Sequence, residues 1–330
     1  MSPEQAGWLC GTGSIRIRTN PEKLDPRWLQ CVLSSGAARD WLSLESVGST
    51  MENLGAGIVG SLPVPLPNVG RQHAVLEALE RSKGQVELLV AAKQRVLDLL
   101  AEKRKATIAT AVTRGLDPKV KLRDSGVPWL GEIPAHWEIE RARWLFRERD
   151  VRSTNGEEEM LTVSHLTGVT PRSEKDVNMF EAETNEGYKL CEPGDLVINT
   201  LWAWMGAMGT APISGMVSPV YKVFTPGSRV LPVYVDPLVR TRVFAQEAQR
   251  HSKGIWWSRL SLYSEAFGRI VFPAPPLCEQ AAIAEHIARE TAKLDAVRAA
   301  TERTVALLKE RRSALIAAAV TGQLDVGAAA

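Results

Sequence analysis

The chain carries one long segment twice, and that duplication limits its architecture more than any other feature. The stretch starting at Pro65 aligns with the stretch starting at Pro273 at a constant offset of 208, without a gap, over 53 positions. About twenty of those positions are identical, among them Pro65/Pro273, Gln72/Gln280, Arg95/Arg303, Leu100/Leu308, Glu102/Glu310, Arg104/Arg312 and Asp117/Asp325. Chance does not produce such a match, and a repeat of this period decides the fold before any local reading does.

Each copy predicts a single long helix. Prolines ahead of Gln72 and Gln280 hold the entry extended, and roughly 40 proline-free residues follow, enough for a sustained helix. Val75, Leu79, Val86, Leu89, Leu97 and Leu100 match Ile283, Ile287, Leu294, Val297, Val305 and Leu308, with the mixed threes and fours of a helical seam. About 42 residues make a rod of about 63 Å. Gly115 and Gly322 stand where C-caps are expected. A rod of that length needs a partner for its apolar stripe, and the other copy supplies one. The expected interface of an antiparallel, coiled-coil-like pair is Leu79, Val86, Leu89, Leu97 and Leu100 against Ile287, Leu294, Val297, Val305 and Leu308. Ala-rich last turns (Ala106, Ala109, Ala111; Ala314, Ala317) allow close approach. The alternative is two surface helices, each packed on its own domain.

Between the rods the sequence changes character. Short apolar runs at Asp195–Ile198, Pro219–Phe224 and Arg269–Phe272 are broken by Glu192-Pro-Gly-Asp195 and Thr225-Pro-Gly-Ser228, which are strand and turn signals. This predicts a mixed α/β domain over 121–272. Residues 1–62 read as the C-terminal portion of a second such domain, with Ser14–Arg18 alternating like a strand and Pro26–Trp41 helical. The helices take 63–120 and 273–326, leaving a tail at 327–330. The expected fold class is therefore α/β: mixed domains joined by two long antiparallel spacer helices.

Composition excludes several classes. With 40 Lys and Arg against 38 Asp and Glu, the formal charge is +2. That rules out a histone-like polycation but leaves room for a basic face. Four scattered cysteines without a C-x-x-C pair suggest neither a zinc site nor a disulfide framework, and predict a reduced, cytoplasmic protein. No run of about 18 apolar residues marks a membrane span, and the start lacks a secretory leader pattern.

The sequence resembles the DNA specificity subunits of type I restriction-modification systems. The resembling residues are Asp124-Ser-Gly-Val-Pro-Trp-Leu-Gly-Glu-Ile-Pro-Ala-His-Trp137, Gly194-Asp-Leu-Val-Ile-Asn199, Gly215-Met-Val-Ser-Pro-Val-Tyr221, the Pro273 to Gln280 segment, and Glu310-Arg-Arg-Ser-Ala-Leu-Ile316 with Ala319-Val-Thr-Gly322. The resemblance implies two target recognition domains, each reading half of a split double-stranded DNA sequence. It also implies that the helix pair sets the half-site spacing and docks methyltransferase subunits, two of them expected. A 63 Å rod matches roughly 18 base pairs at about 3.4 Å each. Restriction translocase-endonuclease subunits would join the assembly. No cofactor is expected on this chain; S-adenosylmethionine, ATP and Mg²⁺ would sit on the partner subunits.

In such a complex Arg and Lys set position on phosphates while other side chains read base edges. Asn199, Thr200 and Ser218 are candidate polar readers, with satisfied turn residues as the alternative. Ser252, Lys253, Trp256, Trp257 and Arg259 stand where the family has a Gly-containing loop before the last helix, and Ser49, Thr50 and Asn53 occupy the matching loop before the first rod. Trp202 and Trp204 lie two apart and share a face if the segment is a strand. For the tryptophans the choices are core packing, apolar contact with thymine methyl groups, or wedging beside a distorted base pair. Arg141, Arg143, Arg147, Arg149 and Arg152 form either a phosphate-contacting row or a solvated helix face.

Catalytic signatures are missing from the sequence. It has no G-x-x-x-x-G-K-[ST], H-E-x-x-H or G-x-S-x-G motif, and Asp236-Pro-Leu-Val239 departs at two positions from an amino-methyltransferase motif. A non-catalytic DNA-binding subunit is the leading expectation. The rivals are an unrecognised DNA-modifying enzyme using acids at Glu157–Glu159 or at Glu181 and Glu183, and a decoy that binds methyltransferase subunits without full DNA recognition. At the repeat offset Met1 aligns near residue 209, so the resemblance implies a first recognition domain truncated at its N-terminal side. A mis-called start, a shortened gene or a piece supplied by another chain would each account for that.

Overall fold

The computed structural model describes residues 14–46, 54–174, 184–255 and 260–323. It divides into two compact units, one formed by Met1–Leu99 with Val297–Ala330 and the other by Leu100–Ala296. The helices are α1 (Pro26–Leu33), α2 (Gly36–Glu45), α3 (Ala56–Gly60), α4 (Val69–Arg114), α5 (Ala142–Leu145), α6 (Pro232–Val239), α7 (Arg242–His251), α8 (Ser264–Phe267) and α9 (Leu277–Val320). The two duplicated segments are thus single helices of 46 and 44 residues. Gly115 and Gly322 follow their ends with φ of 76° and 77°, the left-handed cap that a residue with a Cβ resists.

In the first unit the start of α4 meets the end of α9: Val75, Leu76 and Leu79 share a core with Ala319, Val320, Trp28, Val32 and Leu62. The two helices are therefore antiparallel there. Sequence periodicity predicts one helix over Pro26–Trp41, but the chain breaks at Ser34–Ser35. The Ser35 hydroxyl accepts from Ala38 N at 3.2 Å, so a new helix starts at an N-cap. Ser14–Arg18, expected as a strand, has no strand pairing among the described residues. The buried Gln72 carboxamide ties the unit together, accepting from Asp25 N at 2.9 Å and donating to Lys23 O and Pro67 O at 2.8 and 2.7 Å.

The second unit holds the strands: β1 (Leu122–Asp124), β2 (Glu132–Pro134), β3 (Glu138–Arg141), β4 (Phe146–Arg149), β5 (Leu161–Ser164), β6 (Gly168–Pro171), β7 (Lys189–Cys191), β8 (Leu196–Ile198), β9 (Met208–Thr210), β10 (Gly215–Val217), β11 (Lys222–Pro226) and β12 (Val271–Ala274). The largest sheet is antiparallel with order β4-β11-β8-β9. Both of its faces are covered. Leu196, Ile198 and Phe224 face a core with Phe244, Phe267, Phe272 and Tyr234, while Val197 and Val223 face a smaller one with Leu161, Val163 and Val217. This is the period-2 alternation of a strand placed between two apolar layers. In the same unit Ala111 and Val112, at the end of α4, join Ile283 and Ile287, at the start of α9. The pairing is antiparallel here too. Gln280 repeats the role of Gln72, accepting from Leu231 N at 2.8 Å and donating to Arg229 O and Pro275 O at 2.9 and 2.8 Å.

Two of the expected seam residues do not belong to it. Leu89 is 51% exposed and Val297, its repeat counterpart, 49% exposed. Leu79, Val86 and Ile287 are buried, and Leu97, Leu100, Leu294, Val305 and Leu308 are half-buried. A two-helix pair has one narrow seam, so an apolar stripe wider than that seam leaves its edge in solvent. Leu88, Leu99 and Leu307 are exposed with it.

Candidate nucleic-acid interface

Three separated stretches of the second unit meet at one surface. The turn between β8 and β9 is closed by Asn199 N donating to Ala207 O at 3.0 Å and Ala207 N to Trp202 O at 3.1 Å. The Thr200 hydroxyl donates to Val220 O at 3.0 Å, which joins this turn to the Ser218–Tyr221 turn. Leu262 N donates to Thr200 O at 3.0 Å, which joins it to the segment after α7. That segment is pinched at its base: Lys253 N donates to Ser261 O at 3.0 Å and Ser261 N to Lys253 O at 2.8 Å. Hydrogen bonds from the Thr200 hydroxyl and to the Thr200 carbonyl thus bring together candidates that lie up to about 60 positions apart in the chain.

The candidates divide by role. Asn199 is buried and donates from Nδ2 to the Tyr221 hydroxyl at 3.1 Å, while its Oδ1 has no hydrogen-bond partner among the described residues. Thr200 is buried as well, and the pair braces the surface from beneath. Ser218 is half-buried. The Ser252 hydroxyl donates to Ala248 O at 2.7 Å and finishes α7. Lys253 is exposed. Trp202 and Trp204 do not lie on a strand: Ala203–Met205 is a turn of 3-10 helix ended by Gly206 at φ 88°. Their rings stack instead, with centroids 6.0 Å apart and planes inclined by 21°. Trp256, Trp257, Arg259, Ser49, Thr50 and Asn53 lie outside the described residues.

Most of the nearby cations are already engaged. Glu247, almost fully buried, takes two hydrogen bonds from Arg250 at 2.7 and 2.6 Å and one contact from His251 at 3.0 Å. Burial works against this carboxylate, but the Arg250 hydrogen bonds prevail and hold its pKa below the usual range. Lys222 is paired with Glu148 at 2.7 Å. Lys189 is buried beneath Tyr221, donating to its carbonyl at 2.9 Å; burial and the neighbouring Lys222 lower its pKa. Of the arginines at 141–152, Arg149 reaches Asp195 at 3.0 Å and Arg143 lies over the Trp144 ring at 5.4 Å. Tyr221 is a residue that sequence reasoning left out of the site, although it closes the Gly215 to Tyr221 motif.

The Asp124 to Trp137 motif serves anchoring rather than the site. Trp137 is buried, donates from Nε1 to Glu279 at 2.9 Å, and packs so tightly that a Cβ on Gly115 would meet its ring at 3.2 Å. Among the described residues no group of three or more His, Cys, Asp and Glu could hold a metal ion, and no described helix is long and apolar enough to cross a membrane.

An α/β unit whose exposed turns present aromatic and basic side chains, together with two long helices that run antiparallel within each unit, defines the fold class. The fold is that of the specificity subunits of type I restriction-modification systems. The HsdS subunit from Thermoanaerobacter tengcongensis superposes over 93% of this chain and 73% of its own, with TM-score 0.53 and 17% identity. A chain from a structure concerned with complex assembly and conformational transition of the type I R-M system superposes over 93% of this chain and 74% of its own, with TM-score 0.62 and 21% identity. In sequence the chain is similar to the type I restriction enzyme StySPI specificity subunit of Salmonella potsdam, 21% identical over 338 residues, covering 96% of this chain and 69% of that protein. No protein-family model matches.

Proposed function

We propose that this chain is the non-catalytic, sequence-specific DNA-binding subunit of a type I restriction-modification complex. The unit holding residues 100–296 reads one half of a bipartite target through the surface formed by 199–205, 218–221, 252–255 and 260–261. Trp202, Trp204, Ser218, Ser252 and Lys253 line its rim, and Asn199 and Thr200 support them. The observation that carries this reading is the convergence of three separate turns on one surface, held by hydrogen bonds at Thr200. Similarity to a type I specificity subunit over 96% of the chain supports it.

The exposed apolar edge of the helices, with Leu88, Leu89 and Leu307, suits docking of methyltransferase subunits. Restriction subunits complete the assembly, and S-adenosylmethionine, ATP and Mg²⁺ belong to these partners. The test is selection of duplexes from a random pool by the purified chain, with and without methyltransferase subunits. One enriched motif whose capture weakens steeply with salt is the expected result. Partner binding without any enriched motif would contradict the reading.

A further inference from the structure

The turn after β8 carries an apolar cluster that the core does not use. Leu201, Trp202 and Met205 are 47%, 49% and 38% exposed, whereas Ala203 between them is fully buried. The turn is stiff as well as exposed. Met205 N donates to Trp202 O at 3.0 Å, Gly206 N to Ala203 O at 2.8 Å, and the Trp204 indole N–H to Leu201 O at 3.0 Å. Trp204 is half-buried, and its ring supports one face of the Trp202 indole. Trp202 makes no other ring contact among the described residues. A flat aromatic surface is thus held outward on a rigid mount, at a hydration cost that core packing does not offset.

The surroundings select the occupant. Residues 199–205, 218–222, 252–255 and 260–263 contain two lysines and no carboxylate. Lys222 is held by Glu148, and among the described residues of these stretches Lys253 is the exposed cation. A planar π face beside an exposed lysine fits a nucleobase flanked by phosphates.

We propose that Trp202 is a wedge: its indole enters the base stack of the bound duplex at one step, with Trp204 as its backing. This rests on the reading of the chain as a DNA-binding subunit. It goes further by stating that the duplex is unstacked at one position by this chain itself, at the cost in stacking that wedge residues elsewhere incur.

The test uses the full chain and the duplex it enriches from a random pool, remade with 2-aminopurine at each position in turn. With the unaltered chain, emission should rise severalfold at one step. Trp202→Ala should bind about 10- to 100-fold more weakly and, when saturating, leave emission at the free-duplex level, while Trp202→Phe restores the rise. Equal emission for Trp202→Ala and the unaltered chain, or saturated binding with no bright position, would overturn the wedge and leave DNA binding intact. Failure of the unaltered chain to bind any duplex would overturn the DNA-binding reading and the wedge with it.

Discussion

Trp137 and Glu279 meet as indole N–H and carboxylate oxygen at 2.9 Å, and the other carboxylate oxygen lies 2.7 Å from His136 Nε2. One acid in the first turn of α9 thus secures the end of the Asp124 to Trp137 motif, which the family resemblance singles out. Glu279→Ala should leave a buried indole N–H without an acceptor and cost about 1 to 3 kcal/mol. At about 2 to 4 °C per kcal/mol for a unit of this size, calorimetry should register a fall in Tm. Glu279→Gln keeps an acceptor oxygen and should lose less.

Gln72 and Gln280 occupy the same repeat position and make the same three backbone hydrogen bonds, each within its own unit. Replacing either with leucine strands one N–H and two carbonyls, and should cost about 3 kcal/mol. Urea denaturation should give similar losses for the two variants. A loss at one site alone would show that the duplicated lock is unequal.

Exposure separates two leucines that share a stripe in the sequence. Leu79→Asp places a charge in the seam and should destabilise the first unit by several kcal/mol. Leu89→Asp, on a half-exposed position, should change stability by less than about 0.5 kcal/mol. The proposed docking of methyltransferase subunits on the apolar edge requires that it nevertheless weaken their co-purification. Unchanged co-purification would remove that face from the docking surface.

Much of the architecture is legible in the sequence because the duplication is strong: both helices, their antiparallel pairing and the glycine caps at Gly115 and Gly322 can all be read from it. The misses have local causes. Pro26–Trp41 has helical periodicity throughout, but the Ser35 hydroxyl caps Ala38 N and restarts the helix. Trp202 and Trp204 share a face, but through stacking on a 3-10 turn ended by a left-handed Gly206 rather than through strand alternation. Leu89 and Val297 match in the repeat because both copies project the same edge outward, and periodicity cannot distinguish an edge from a seam. The meeting of Thr200 with Val220 and Leu262 depends on tertiary hydrogen bonds that leave no mark in a linear pattern.

The Glu247–Arg250 pair predicts an acid limb. Its folded-state pKa lies below the unfolded value of about 4.3, so the folded state binds this proton less readily. The stability it contributes is present above the unfolded pKa and is lost as pH falls through the folded pKa. Glu247→Gln should flatten the stability profile below about pH 4.3 relative to the unaltered chain. An identical acid limb in both would show that the pair contributes nothing to folding.

The most direct measurement is the methylation pattern written when this chain is expressed with its methyltransferase subunits in a host lacking other modification systems, followed by sequencing for modified adenines. Modification at a bipartite motif is the predicted result, with substitutions at Trp202, Ser218 and Lys253 altering one half and leaving the other unchanged. Modification that persists at the same sites without this chain, or methyl transfer by the chain alone, would contradict its role as a non-catalytic specificity subunit.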